Sequence, residues 1–369
     1  MKESDLEGAP PGVAATVAQV GERALIERIR ARVPAPPDWV RVGIGDDAAV
    51  VAPERNTFDV VTTDALVEGV HFDLAFVPPR AVGHRALAAS LSDLAAMGAR
   101  PRAALLSLGL PDALPAGDFD ALVDGLLALA AVHGVALIGG NIARSPGPLL
   151  VDVTALGSAQ ERRILQRAGA RPGDVMFVSG RIGSAAAGLE WCRAHGAVAA
   201  QAVGPEQDRV RERTANGGQD PAPAAFRAAA ARFLYPDPRI RLGWALARNR
   251  AASACVDLSD GLADAVHQLA SASGVGAIVD GDAVPIADDV RVWFEAQGRD
   301  PLVSALTGGE DYELLFTMPT RHQRVLQAVA RQVGGLPLTR VGVLTRDPRV
   351  MLRRDGRDGP LPPGFTHFR

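Results

Sequence analysis

The sequence predicts an α/β (α+β) protein of two domains, with mixed sheets flanked by helices. Three observations point there. Strand-like and helix-like segments alternate irregularly in both halves, which is the pattern of mixed rather than single-class layers. The chain has 369 residues, against roughly 100–200 for a usual domain. Apolar residues make up 47% and charged residues 22%, enough to bury two cores without a disordered composition. The division falls near 158–172. This gives a flexible extension over 1–20, a first domain over 21–160 and a second over 161–369.

The elements follow in order. Residues 22–33 carry Leu25, Ile26 and Ile29 on one helical stripe, and Pro34, Pro36 and Pro37 end that helix. A short strand is expected over 40–44, a turn at Gly45-Asp46-Asp47, and a second strand over 58–63. Residues 81–97 have helical periodicity, with Leu87, Leu91 and Leu94 on one face. A strand over 103–110, an apolar helix over 119–133, a strand over 136–138 and another over 149–156 complete the first domain. In the second, 175–179 is a strand, and Gly180 and Gly183 open a helix through Trp191. Residues 195–223 are rich in Gly, Ala, Pro and charge and are expected as a loose insertion. A helix over 224–234 stops at Tyr235-Pro-Asp-Pro238. Later strands are expected over 277–280, 312–317 and 340–344, with a helix between the last two. No fixed-period repeat is visible.

Composition excludes several function classes. The formal net charge is -3 and aromatics are 5%, with no basic stripe interleaved with aromatics, so nucleic acid is not an expected partner. Cys192 and Cys255 have neither the number nor the spacing of a disulfide framework or zinc site, which favours a reducing cytoplasm. No run of about 18 apolar residues suggests a membrane span. The first 20 residues hold acids and a Pro10-Pro11 pair, not the basic start and apolar core of a secretory signal.

What stands out is a set of acidic motifs beside small residues. Asp46 and Asp47 follow a glycine turn. Thr62-Thr63-Asp64 is expected at the C-terminal end of a strand, where ligand crevices of open sheets lie. Asp93, in Ser90-Leu-Ser-Asp-Leu94, falls mid-helix beside the leucine stripe, where an ionised carboxylate is costly unless a cation or donor meets it. Asp257-Leu-Ser-Asp-Gly261 sits where a strand gives way to a helix, a place that offers backbone N–H groups to a phosphate. Gly308-Gly-Glu-Asp-Tyr-Glu313 puts acids straight after a glycine pair. Taken singly, each is also an ordinary turn or helix cap. Five of them, spread over both halves, fit Mg²⁺ bridging carboxylates to phosphate oxygens, because phosphoryl transfer depends mainly on positioning and charge neutralisation. The chain has no G-x-x-x-x-G-K-[ST] element and no HExxH pair among its seven histidines.

In this order the motifs resemble those of the thiamine-monophosphate kinase family, within the superfamily that includes aminoimidazole ribonucleotide synthetase and selenophosphate synthetase. The likeness runs from Gly21 to Phe368. It is carried by GIGDDAAV (43–50), TTDALVEGVHF (62–72), SLSDLAAMGA (90–99), RAGARPGD (167–174), YPDPRI (235–240), VDLSDGL (256–262), GGEDYEL (308–314) and GFTHF (364–368). The second and seventh of these are specific to the kinase branch. The resemblance implies transfer of the ATP γ-phosphoryl group to thiamine monophosphate. It also implies several Mg²⁺ ions on Asp47, Thr62, Thr63, Asp64, Asp93, Asn141 and Asp257, with Asp260 on a further one. Gly140, Asn141, Arg167 and Ser259 would contact ATP. His71, Glu310 and Phe365 or Phe368 would hold the thiamine moiety, and a homodimer would pair the N-terminal sheets. No general base is assigned, since the acceptor phosphate oxygen is already ionised near pH 7.

The chain departs from the family at one position that matters. Where the family has Gly-Gly-Asp-Thr, this sequence has Gly139-Gly140-Asn141-Ile142. A unit charge about 4 Å away is worth on the order of 4 kcal/mol at an effective dielectric near 20. Desolvation relief cancels part of that, and one metal is expected to bind more weakly or to be held mainly by Asp64 and the nucleotide. Two other readings compete with a kinase. A non-catalytic nucleotide- or thiamine-phosphate-binding protein is one, motivated by Asn141. Another enzyme of the superfamily is the other, but the selenophosphate and hydrogenase-maturation branches call for a terminal reactive cysteine, and here the cysteines stand at 192 and 255.

Overall fold

The structure is a computed structural model describing residues 15–204 and 224–364. Its first half runs α1 (Val17–Val20), α2 (Glu22–Arg32), β1 (Val40–Val42), β2 (Val50–Val51), β3 (Phe58–Val67), α3 (Pro79–Ala96), β4 (Arg100–Pro111), α4 (Ala116–His133), β5 (Ala136–Ser145) and β6 (Leu150–Ala159). Four strands form a sheet in the order β3-β6-β4-β5. Only β4 and β5 are parallel, and α4 makes the crossover between them. Helices α3 and α4 cover one face through a core that includes Leu87, Leu91, Leu122, Leu126, Val151 and Val153.

The second half runs β7 (Val175–Ser179), α5 (Ser184–Gln201), α6 (Ala224–Leu234), α7 (Ile240–Asn249), β8 (Ala254–Asp257), α8 (Leu262–Ser273), β9 (Gly276–Asp280), α9 (Asp288–Ala296), α10 (Pro301–Thr307), β10 (Leu314–Met318), α11 (Gln323–Gln332), β11 (Leu338–Thr345), β12 (Val350–Arg354) and β13 (Arg357–Pro360). Its seven-stranded sheet has the order β13-β12-β9-β11-β7-β10-β8. Helix α3 belongs to both halves. From Ala81 to Ala96 every residue except Asp93 is buried, because the helix lies between the first sheet and α7. A helix buried on all sides is usually apolar throughout, yet this one also buries His84, Arg85, Ser90 and Ser92.

Several elements differ from expectation. Strand β3 continues to Val67, so Thr62-Thr63-Asp64 lies within the strand and not at its end. Strand β5 continues through Gly139–Ile142 to Ser145. Helix α5 extends through a kink at Gly196 (φ +75°) to Gln201, so the start of the expected insertion is helical. The remainder of that insertion from 205, the extension over 1–14, and Phe365 and Phe368 lie outside the described residues. Helices α7, α9 and α10 and the β12–β13 hairpin were not anticipated by periodicity.

Candidate active site

Strand alternation sorts the first cluster of candidates. Along β3, Thr62 and Asp64 face α3, while Thr63 faces the opposite side of the sheet. The Thr62 hydroxyl donates to Asp93 Oδ2 at 2.5 Å. Thr63 instead meets Asp152 (3.3 Å) and Thr154 (3.1 Å) on the neighbouring strand β6. Asn141 lies on this second face, exposed, in the register row Ala65–Asp152–Ser107–Asn141. Gly140 lies beside it where β5 presses on β4: a Cβ there would fall 1.8 Å from the Leu106 carbonyl oxygen, so the glycine serves the strand pairing. Asp47 is exposed in the loop after β1, its N–H donating to Asp46 Oδ1 at 2.8 Å.

The second half brings its own acids to the α3 side. Leu258 and Ser259 carbonyls accept the Tyr312 and Glu310 N–H groups at 3.1 and 2.7 Å, which lays the motif at 257–262 against that at 308–314. The Ser92 hydroxyl of α3 donates to Asp257 Oδ2 at 2.9 Å and ties the two halves together at the site. The result is a cavity of about 680 Å³ lined by Asp64, Asp93, Asp257, Ser259, Asp260, His71 and Glu310 of the predicted set. That volume lies within the range of small-molecule sites. Thr62 stands behind Asp93, and Arg167 is exposed but close enough for its charge to favour ionised Asp257. Thr63, Gly140, Asn141 and Asp47 are not among the cavity's lining residues.

Electrostatics set this cavity apart. Burial, then the Asp93 charge, pushes the Asp64 carboxyl up to about 6. The same two causes, in the same order, push Asp257 up to about 7. Asp64 Oδ2 is buried with no hydrogen-bond partner. Carboxylates that crowd and repel one another in a cleft, one with an orphaned oxygen, are a donor set suited to a hard cation. Among the described residues, no three acids, histidines or cysteines converge into a closed metal cage. Mg²⁺ is consistent with that, since it keeps several waters and is usually held by one or two carboxylates plus substrate phosphates.

The motif at 308–314 distributes its acids in a way the sequence did not indicate. Only Glu310 lines the cavity. Asp311 accepts the N–H groups of Gly183 (2.6 Å) and Ala185 (3.0 Å) and so caps α5 from outside the helix. Glu313 is fully buried and accepts from Ser179, Arg232 and Arg239, the last belonging to YPDPRI. Sequence reasoning also missed Asp73, Glu190, Arg193 and Tyr312 in the cavity wall. Asp73, Glu190 and Arg193 lie on a loop and a helix outside every motif, and only tertiary packing brings them there.

Comparison with known proteins gives a consistent set of matches. Residues 45–159 match the family described as AIR synthase related protein, N-terminal domain, and residues 171–355 match its C-terminal domain. A thiamine-monophosphate kinase of Salmonella typhimurium is 38% identical over 351 residues, covering 94% of this chain and 98% of that protein. The crystal structure of a thiamine-monophosphate kinase from Stenotrophomonas maltophilia, 38% identical, aligns with a TM-score of 0.74 over 91% of this chain and 96% of that one. The structure of AaThiL complexed with AMPPCP and TMP, 30% identical, aligns with a TM-score of 0.69 over 97% and 100%.

Proposed function

We infer the activity from one premise: the chain belongs to the thiamine-monophosphate kinase family, within the AIR synthase related proteins. It phosphorylates thiamine monophosphate with ATP, yielding thiamine diphosphate and ADP. The observation that carries this reading is the acidic cavity where Asp64 and Asp93 of the first half meet Asp257 and Asp260 of the second.

In the reaction, a phosphate oxygen of thiamine monophosphate attacks the γ-phosphorus of ATP in line. The bond from that phosphorus to the bridging oxygen breaks, and ADP leaves with the electron pair. The attacking oxygen is already ionised, so no side chain needs to remove a proton. The obstacle is repulsion between two anions. Asp64, Asp93, Asp257 and Asp260 are the residues that would hold Mg²⁺, which when bound neutralises phosphate charge between the reactants. Thr62 holds Asp93 in place, and Ser92 does the same for Asp257. Arg167 and Ser259 serve the ATP phosphates in this reading, and His71 and Glu310 the thiamine end. Domains 21–160 and 161–369 then each supply half of the acids.

A homodimer is part of the same reading. The face of the first sheet turned away from α3 leaves Val61 60% exposed, with Thr63, Ala65 and Asn141 also open on it. A partner sheet there would bring Asp47, Thr63, Gly140 and Asn141 under cover. We place the enzyme in the cytoplasm, a reducing compartment that suits its two free cysteines; among the described residues no helix is long and apolar enough to cross a membrane.

The test is direct. Purified protein with ATP, Mg²⁺ and thiamine monophosphate should form thiamine diphosphate and ADP in equal amounts. Binding of both substrates without turnover would overturn the kinase and support a binding protein instead.

A further inference from the structure

Arg85 is the largest fully buried side chain among the described residues, and nothing in the reaction above uses it. It projects from α3 about two turns before Asp93 and does not line the cavity. Its guanidinium stands behind the wall and holds three separate pieces of chain. Nη1 donates to the Phe233 carbonyl near the end of α6 at 2.7 Å. Nη2 donates to Glu310 Oε1 at 2.5 Å and more weakly to the His71 carbonyl at 3.4 Å. The Phe233 ring lies 4.3 Å from Arg85 Cζ, and Nε has no partner.

Burying a guanidinium is costly unless its partners compensate. An arrangement that accepts this cost, and leaves Nε unmatched, is weak evidence of stability for its own sake. What it does provide is control of Glu310. That residue sits on left-handed backbone, φ +67°, and Tyr312 follows at φ +48°, both unfavourable for side chains with a Cβ. Its carboxylate shares the cavity with Asp64, Asp93, Asp257 and Asp260. Repulsion from the ionised carboxylates among them would drive an unpaired Glu310 away from the cavity. Arg85 supplies a fixed positive charge on the far side and a fork that sets the direction of the carboxylate. The same guanidinium fixes the carbonyl of His71, the other wall residue on the thiamine side.

We propose that Arg85 is a positioning residue for the acceptor substrate, aiming the Glu310 carboxylate at the cationic thiazolium end of thiamine monophosphate. The inference rests on the reading of this cavity as the thiamine-phosphate site. A surrogate hydrophobic buttress would fill the same space but could not aim a carboxylate.

A double-mutant cycle on the full chain tests it. Thiamine monophosphate affinity is measured calorimetrically, and kcat and both KM values are measured by turnover, for wild type, R85M, E310Q and R85M/E310Q. The expected result is about tenfold weaker binding and higher KM for thiamine monophosphate in each single variant. The double variant should be no weaker than the worse single one by more than about twofold, because the two side chains act as one unit. KM for ATP should stay within about twofold of wild type in all of them. Multiplied effects in the double variant, or an equal rise in KM for ATP, would overturn the proposal. If R85M does not fold, R85K takes its place in the cycle. A single ammonium cannot serve three acceptors in the guanidinium geometry, so it should lose part of the affinity, and lose nothing further once Glu310 is Gln. Wild type that binds thiamine monophosphate without turning it over would sink the kinase reading, while the binding cycle would still judge Arg85. Wild type that does not bind it would overturn both.

Discussion

Asp93 is the one residue between Ala81 and Ala96 of α3 that escapes burial, and it is where activity and stability oppose each other. Its charge helps raise the carboxyls of Asp64 and Asp257 to about 6 and 7, after burial itself. A raised carboxyl pKa means that the folded state penalises the ionised form, so near neutral pH these groups subtract from stability. Removing the Asp93 charge relieves that repulsion. Asp93→Asn, which can still accept from Thr62, should therefore raise the urea midpoint by an amount corresponding to about 1 kcal/mol. It should also lower kcat by roughly 10²–10³-fold, the usual cost of losing one charge-stabilising group. Stability and activity falling together would show that Asp93 serves the fold instead. At this scale the sequence was informative about Asp93, since an acid in an apolar stripe stands out. It could not tell how Thr62-Thr63-Asp64 is shared out: Thr62 and Asp64 face α3 and Thr63 faces the other side of the sheet. Asp152, the carboxylate that shares a face with Thr63 and a register row with Asn141, carried no local signal at all.

Elements were legible where one pattern ran uninterrupted and illegible where a local feature was outweighed. The helix over 22–33 and the strand over 175–179 are found almost as expected because periodicity and terminators agree. The β12–β13 hairpin turns on Asp355-Gly356, both at positive φ, a recognisable two-residue turn hidden between strands rich in charge. Helix α5 shows why a motif can mislead. Its N-terminus is capped by Asp311, 126 residues from Ala185, so an acid that resembles a ligand group is in part a helix cap. Asp311 carries a titration with a definite sign. Burial outweighs its two backbone hydrogen bonds and lifts its carboxyl from the ordinary 3.8 to about 7. The folded state then holds the proton more tightly than the unfolded state does. The associated stability is complete below about pH 4 and is lost as pH rises through 7. Asp311→Asn removes this titration and leaves one of the two N–H groups without its acceptor. The variant should be less stable than wild type at pH 5, and the gap should narrow by roughly 1–3 kcal/mol at pH 7.5. Urea midpoints at the two pH values decide it; a gap that is constant or wider at pH 7.5 contradicts the cap's assigned proton.

For the whole molecule the decisive relation is between the halves, and no local pattern in the sequence describes it. Two domains were legible from length and from the mixed order of elements. The fact that one helix serves both was not, because α3 looks amphipathic over Leu87, Leu91 and Leu94 while its other faces carry small residues. Those small residues are the contact surface. A Cβ on Gly243 of α7 would fall 1.9 Å from the Ala95 carbonyl oxygen, and one on Gly98 would fall 2.5 Å from the Ala247 Cβ. The helices thus pack backbone to backbone next to Asp93, and Ser92 reaches Asp257 from the same turn. The contact lies two residues along α3 from Asp93, so it is expected to set the separation of the two pairs of acids. Gly243→Ala should force α7 away from α3, lower stability by about 1–3 kcal/mol as an overpacked contact does, and cut kcat more than tenfold by widening the acidic site. Gly117→Ala in α4, which meets nothing within 4 Å, is the control and should leave kcat unchanged while matching or slightly raising stability. The comparison separates geometry from fold. If Gly243→Ala melts earlier but turns over at the wild-type rate below its melting temperature, the spacing of the halves does not govern catalysis. If kcat falls while the folded baseline is intact, the glycine contact at Ala95 is part of the active-site architecture, although it touches neither substrate.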